Sequence, residues 1–298
     1  MYFQILNVIG PVLLMTFVGY VLGRRQVPLD PRTLSSLVLL VATPSLVFST
    51  LTSLPIDFAT MSDMALAAGL SVAIAAALGF VLLKALGMSA RTFLPSLMIP
   101  NSGNIGLPLV SLAFGDTGLA LGISFFFVIA LLQYTAGLAI SSGQFRIGDL
   151  ARQPLVYAVV CVIVVKASGV QVPTIIASTT DLLGGMMIPA MLIFLGASLA
   201  RLTVEDIRPA AIITFARLAF GLVASILVIE LLSLSGVEAG SVLLLAMMPA
   251  AIVTYVFAER YRDDANQVAG AIVLSTVVTF ALLPAILWGA YVVAGVQL

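Results

Sequence analysis

Two side-chain amides, Asn101 and Asn104, lie three residues apart inside the apolar stretch MIPNSGNIGLPLV, which runs from Met98 to Val110. Residues three apart share a face of a helix, so the pair can bring amide donors and acceptors to one ligand. Around them stand Pro100, Ser102, Gly103, Gly106 and Pro108. Such a stretch is a poor helix: proline lacks the N–H and clashes with the preceding turn, and glycine weakens a helix interior. A half-helix that begins at the break exposes free N–H groups and a positive dipole end, a seat for an anion. Ser102 can cap the break, Gly103 and Gly106 allow close backbone approach, and Pro108 suits a second bend. The chemistry on offer is the binding of a compact anion by neutral groups.

Composition narrows the rest. The 298 residues hold no histidine and one cysteine, Cys161. His-based metal sites, Ser-His and Cys-His nucleophiles, imidazole relays and an intrachain disulfide are thereby removed. Asp263 and Asp264, the one pair of adjacent aspartates, stand alone at the inner surface, which does not make the magnesium or zinc site of a membrane enzyme, and no catalytic residue, metal or cofactor is expected. Charged residues make up 9% of the chain and hydrophobic ones 61%; soluble domains carry about 25% charge. The chain is in the membrane class, and its zero formal charge with no basic run argues against nucleic acid.

Spans of about 20 apolar residues mark membrane helices, and ten are expected, near 2–23, 33–53, 61–84, 92–114, 117–143, 152–168, 174–200, 208–232, 239–258 and 265–293. The first reads as a retained segment and not a cleavable signal, because Arg24 and Arg25 follow it instead of preceding it. With the N-terminus outside, the odd-numbered connections hold Arg24, Arg25, Arg32, Lys84, Arg91, Arg146, Arg152, Arg201, Arg208, Arg260 and Arg262, eleven of the thirteen Lys and Arg. The positive-inside rule then puts those connections in the cytoplasm and both termini on the outer side of the cytoplasmic (inner) membrane. Tyr2, Phe3, Trp288 and Tyr291 suit an outer aromatic belt.

Ten spans divide into two fives of opposite orientation, 1–143 and 152–298, joined by a cytoplasmic linker at 144–151. VATPSLVF around Pro44 matches MMIPAMLIF around Pro189, LMIPNSGN around Pro100 matches AMMPAAIV around Pro249, and FGDTGLALGI around Asp116 matches RDDANQVAGAI around Asp264. The offsets are 145, 149 and 148 residues. Pro100 lies nine residues past Arg91 and Pro249 nine past Gly240, each about 13 Å into a hydrocarbon core of about 30 Å from opposite faces. Two broken helices are therefore expected to cross at mid-depth, the plan of transporters built from inverted repeats. Pro249, Ala250, Ala251, Thr254 and Tyr255 would form the opposing wall, with small residues leaving room for a ligand.

Weaker candidates surround this crossing. Pro44 and Pro189 can equally be kinks in packed helices, and Thr43, Ser45 and Gln133 can be packing hydrogen bonds between helices. Arg217 lies nine residues into the eighth span; snorkelling to the inner surface is the first expectation, with substrate or a helix C-terminus as other partners. No Asp, Glu or Lys falls at mid-depth, so a carboxylate for proton or sodium coupling is not evident.

The residues N-S-G-N-I-G-L-P at 101–108 resemble the signature of the auxin efflux carrier family, which includes bacterial permeases assigned to malonate and malate. The stretch MPAAIVTYVFAERYRDDANQVAGAIVLSTVVTFALLP, 248–284, resembles that family's C-terminal region, and the likeness in span count covers the whole chain. The resemblance implies an all-α integral membrane fold of ten helices in two inverted five-helix repeats. Helices four and nine would be broken crossover helices in a transport domain of helices 3–5 and 8–10. Helices 1, 2, 6 and 7 would form a scaffold, often dimeric, with elevator-type motion between the two. It places Asn101 and Asn104 at the substrate and Pro100 and Pro249 at the break points. Ala250 and Ala251 depart from the polar residue expected there and point to an asymmetric site.

The expected function is secondary transport of a small organic carboxylate by alternating access. A sodium-coupled symporter of the bile acid type shares the architecture, but its ion ligands beside the ninth-span break are missing before Glu259. A sensor derived from a carrier would bind ligand without flux.

Overall fold

In an apolar surrounding every backbone N–H and C=O must be bonded within the chain, and helices do this segment by segment. The computed structural model describes residues 2–25, 33, 36–54, 57–144 and 153–296, and the regular elements among them are all helices. Arg32, Arg146, Arg152 and all of the expected linker but residue 144 lie outside the described residues, as do the side chains of Tyr2 and Phe3. In chain order the helices are α1 (Tyr2–Arg24), α2 (Thr43–Ser53), α3 (Phe58–Ala85), α4 (Ala90–Met98), α5 (Leu107–Leu132), α6 (Leu138–Ser142) and α7 (Pro154–Ser168). They continue as α8 (Thr174–Gly185), α9 (Met187–Leu199), α10 (Ile207–Leu231), α11 (Gly236–Ala246), α12 (Val253–Tyr261) and α13 (Ala265–Val293).

Six of these runs, judged by length and composition, can cross a membrane: Ile5–Arg24, Phe58–Ala85, Ser102–Ser142, Thr174–Leu199, Ile207–Leu231 and Ala265–Val293. Val38–Ser53, Pro154–Ser168 and Gly236–Ala246 are shorter and equally apolar. The 41-residue run is not one rod. Gly115 interrupts α5 with φ 65° and ψ −152°, a conformation open to glycine and costly for other residues. A Cβ on Gly122 would meet Val110 and Leu107 at 2.7 and 3.1 Å. In an unbroken helix Gly122 and Leu107 would stand about 22 Å apart, so the chain folds back at Gly115 into two antiparallel helices.

Irregular turns mark the starts of two further helices. Val38–Ala42 is a wide π turn ahead of α2, and Pro44 occupies the first turn of that helix, where its missing N–H costs nothing. Pro189 is likewise in the first turn of α9, after the break at Met186. Each proline thus follows an irregular turn inside a longer apolar run, Val38–Ser53 and Thr174–Leu199, as at a kink in a packed helix.

The main helix pairings are α1 along α9, α2 against α7 and α8, α10 along α13, α3 along α4, α5 and α10, and α11 along α5 and α13. Side chains added at Gly19 and Gly196 would run into the backbone of the facing helix, so α1 and α9 touch almost chain to chain, the small-residue packing that membrane helices favour. Asp57 caps α3, accepting from the Thr60 N–H at 3.0 Å, and hydrogen bonding from the Thr60 side chain, with this N–H second, holds its carboxyl below the usual range. Asp206 caps α10 in the same way, accepting from the Arg208 N–H at 3.0 Å.

Candidate functional site

The residue before a proline is pushed to extended backbone. Ile99, ahead of Pro100, has φ −102° and ψ 108°, and α4 stops there. On the other side α11 ends at Ala246, three residues before Pro249. The two extended pieces meet as a short antiparallel bridge between Pro100 and Ala250. The Asn101 N–H donates to the Pro249 carbonyl at 2.8 Å, and the Ala251 N–H donates to the Ile99 carbonyl at 3.2 Å. Each break thus satisfies the backbone groups that the other frees.

Beyond the bridge the chain restarts as a wide turn, Ser102–Gly106, whose Ile105 and Gly106 N–H groups both reach the Asn101 carbonyl, at 3.3 and 3.2 Å. The amides of Ser102, Gly103 and Asn104 precede the first residue with a helical acceptor and point out of the helix end. A cavity of about 140 Å³ opens against this end. Pro100, Asn101, Ser102, Gly103 and Asn104 line it, together with Thr43, Gln133 and Ala251. Phe126, Met191, Phe194 and Val253 provide an apolar wall. Asn101 Nδ2, Ser102 Oγ and Thr43 Oγ1 are buried with no hydrogen-bond partner. Buried polar groups without partners are uncommon and costly. Three residues of one cavity wall carry such atoms.

Eight of the residues singled out from the sequence therefore come together here, and the others do different work. Pro249 and Ala250 form the bridge and are absent from the cavity wall. Thr254 pairs with Ser96 across the crossing at 3.0 Å and donates to the Ala251 carbonyl at 2.7 Å. Tyr255 turns away, its hydroxyl donating to Glu259 at 2.7 Å. Gly106 packs on Leu245 and Met248, Gly103 on the Phe126 ring, and Pro108 sits in the first turn of α5. Pro44, Ser45 and Pro189 do not reach the cavity.

Arg217 does not snorkel. It is 2% exposed, and its Nη1 and Nη2 donate to the carbonyls of Leu97 at 3.3 Å and Ala246 at 2.6 Å. These carbonyls belong to the last turns of α4 and α11, so the helix-end alternative holds and the surface one is overturned. Tyr134, Met191, Phe194 and Ser96 carry no sequence signal that sets them apart from ordinary packing residues. The wide turn Gln133–Gly137, which presents Gln133 and Tyr134 to the cavity, leaves no mark in composition either.

The profile of a family described as "Membrane transport protein" matches residues 4–147 and 139–289. An uncharacterized transporter of Methanocaldococcus jannaschii is 25% identical, over 95% of this chain and 97% of that one. An uncharacterized transporter of Methanothermobacter thermautotrophicus is 27% identical, over 93% and 95%. With a profile match over nearly its whole length, relatives that align end to end, and a helix pair broken at the two prolines, this chain belongs to the membrane transport protein family, that of the auxin efflux carriers.

Proposed function

We propose that the protein is a secondary carrier that moves a small organic carboxylate across the cytoplasmic membrane by alternating access. The observation that carries this is that three residues lining one cavity at a helix N-terminus, Asn101, Ser102 and Thr43, each hold a buried polar atom without a partner. Asn101 Nδ2, the hydroxyls and the free amides of 102–104 are donors, and the positive helix end favours an anion. Phe126, Met191 and Phe194 suit the hydrocarbon part of the same molecule. A cavity of about 140 Å³ matches a compact acid.

In this reading the chain crosses the bilayer ten times. The fold-back at Gly115 divides the longest run in two, α4 with 102–114 makes the fourth crossing, and α11 with α12 makes the ninth. The repeat is inverted, and two helix caps support it: Asp57 and Asp206 begin corresponding helices at the 149-residue offset of the two break prolines. The termini lie outside. The set α1, α2, α7, α8 and α9 is the scaffold, through which two copies pair. The other set, stitched by the bridge, moves past it as one body in an elevator motion.

A thermal-shift screen of organic acids on the purified full chain tests the proposal. At least one carboxylate should raise the unfolding temperature, and the rise should shrink in Asn101→Ala and in Asn104→Ala. An unchanged rise in both variants would move the site elsewhere. Uptake of the stabilising acid into proteoliposomes separates a carrier from a sensor, which binds without flux.

A further inference from the structure

Arg217 is the only Lys, Arg, Asp or Glu that is buried among the described residues. It stands on α10, and a Cβ at Gly221, one turn further on, would run into the Ala246 carbonyl. That glycine lets α10 lie against the end of α11 and puts the guanidinium 2.6 Å from the Ala246 oxygen. Its second bond goes to Leu97 at the end of α4. Among the described residues no carboxylate faces it, and Nε has no partner.

The charges balance without a carboxylate. A helix C-terminus carries about half a negative elementary charge, so the two ends that converge on Arg217 carry about one between them. In carriers built on broken helices, the carbonyls at such ends are where a coupling sodium or proton sits. Here the remaining gap beside Ser71, Pro100 and Arg217 is about 10 Å³, the lower limit for a single water. A second, dissolved cation does not fit beside the first.

We infer that the Arg217 guanidinium is a tethered substitute for a coupling cation, so the carrier binds and moves its anion without sodium. This rests on the carrier reading and adds to it how the crossing is kept neutral. A guanidinium stays charged at any physiological pH, so the seat is filled in every state of the cycle. The anion cavity on the other side of the bridge can load and empty with no ion entering or leaving.

The test is the unfolding temperature of the full chain in detergent, in sodium, potassium and N-methylglucamine chlorides of equal ionic strength. The wild type should unfold within about 1 °C in all three, because an ion that bound only the folded state would raise it with concentration. Arg217→Ala should unfold roughly 5–15 °C lower, the loss expected for taking one partner from a buried ionic contact. Methylguanidinium or sodium should restore part of that loss in the variant and none in the wild type. Arg217→Lys should be more stable than Arg217→Met, which keeps a chain of similar length without the charge, and this pair decides if the alanine variant does not fold. A saturable rise of the wild type in sodium overturns the inference, as does an alanine variant that no cation lifts, or Met at least as stable as Lys. Malonate uptake into proteoliposomes distinguishes the two levels. Uptake that requires sodium overturns the tethered cation and keeps the carrier; no uptake of any organic acid overturns the carrier and the inference with it.

Discussion

The breaks at 99–101 and 249–251 have the same backbone job and opposite side chains. Each follows a short helix, each places a proline at the bridge, and each donates one N–H to a carbonyl of the other. The first continues into Asn101, Ser102, Gly103 and Asn104; the second into Ala250, Ala251 and Ile252. All of the second break's backbone bonds would survive a change to other small residues, whereas the first break's side chains make none of them. Shape and polarity are thus separable at this crossing: proline and the bridge supply the shape twice, and polar side chains are supplied once.

The largest effect should come from the polar side. Asn101→Ala should weaken binding of the stabilising carboxylate roughly ten- to hundredfold, the value of a hydrogen bond to a charged group, while Ala251→Gly changes it by about threefold or less. Titrating the acid against the unfolding temperature of each variant measures both. Equal losses from the two would erase the contrast. A smaller effect tests the connection between the breaks. Ser96→Ala and Thr254→Val each remove one end of the buried hydroxyl pair and should each cost about 1–3 kcal/mol. The double variant should lose less than the sum, because neither partner is then stranded; additive losses would mean that the pair does not couple the two half-helices.

The smallest effects sharpen the comparison at the level of the halves. Asp57→Ala and Asp206→Ala should each lower the unfolding temperature by only a few degrees and by like amounts, as corresponding caps would. For Asp57 the sign with pH follows from its depressed pKa. Its contribution is present above the unfolded-state value near 3.8 and is lost as pH falls through the lower folded value. The Asp57→Ala difference from wild type should therefore vanish only in strong acid; a difference that fades between pH 7 and 5 would contradict it.

The breaks were legible in the sequence because they are local physics. Pro100 and Pro249 dictate the backbone of the residues before them, and no distant contact can restore the missing N–H. Asn101 and Ser102 were legible for a related reason: an amide and a hydroxyl in an apolar run need partners, and none stands nearby in sequence. Thr254 was misread as a wall of the site because its partner Ser96 is 158 residues away and any threonine at that position looks the same. Arg217 was misread because its acceptors are backbone carbonyls, which leave no trace in residue type, donated by helices 120 and 29 residues distant. The apolar lining, Met191 and Phe194, cannot be told by composition from side chains exposed on the outside of the helices, such as Leu182 or Phe17. What stayed hidden was the pairing of segments far apart in sequence.

The bridge also sets a schedule for synthesis. When Asn101 leaves the ribosome its N–H has no partner, because the Pro249 carbonyl is made 148 residues later. At roughly 5–20 residues per second that is a wait of about 7–30 s. For that time the nascent first half carries an open, hydrogen-bond-hungry break, which must stay wet, or shielded by the insertion machinery, until α11 arrives. A chain truncated before Pro249 would never be released from that state, so each half of this protein is the other's last folding step.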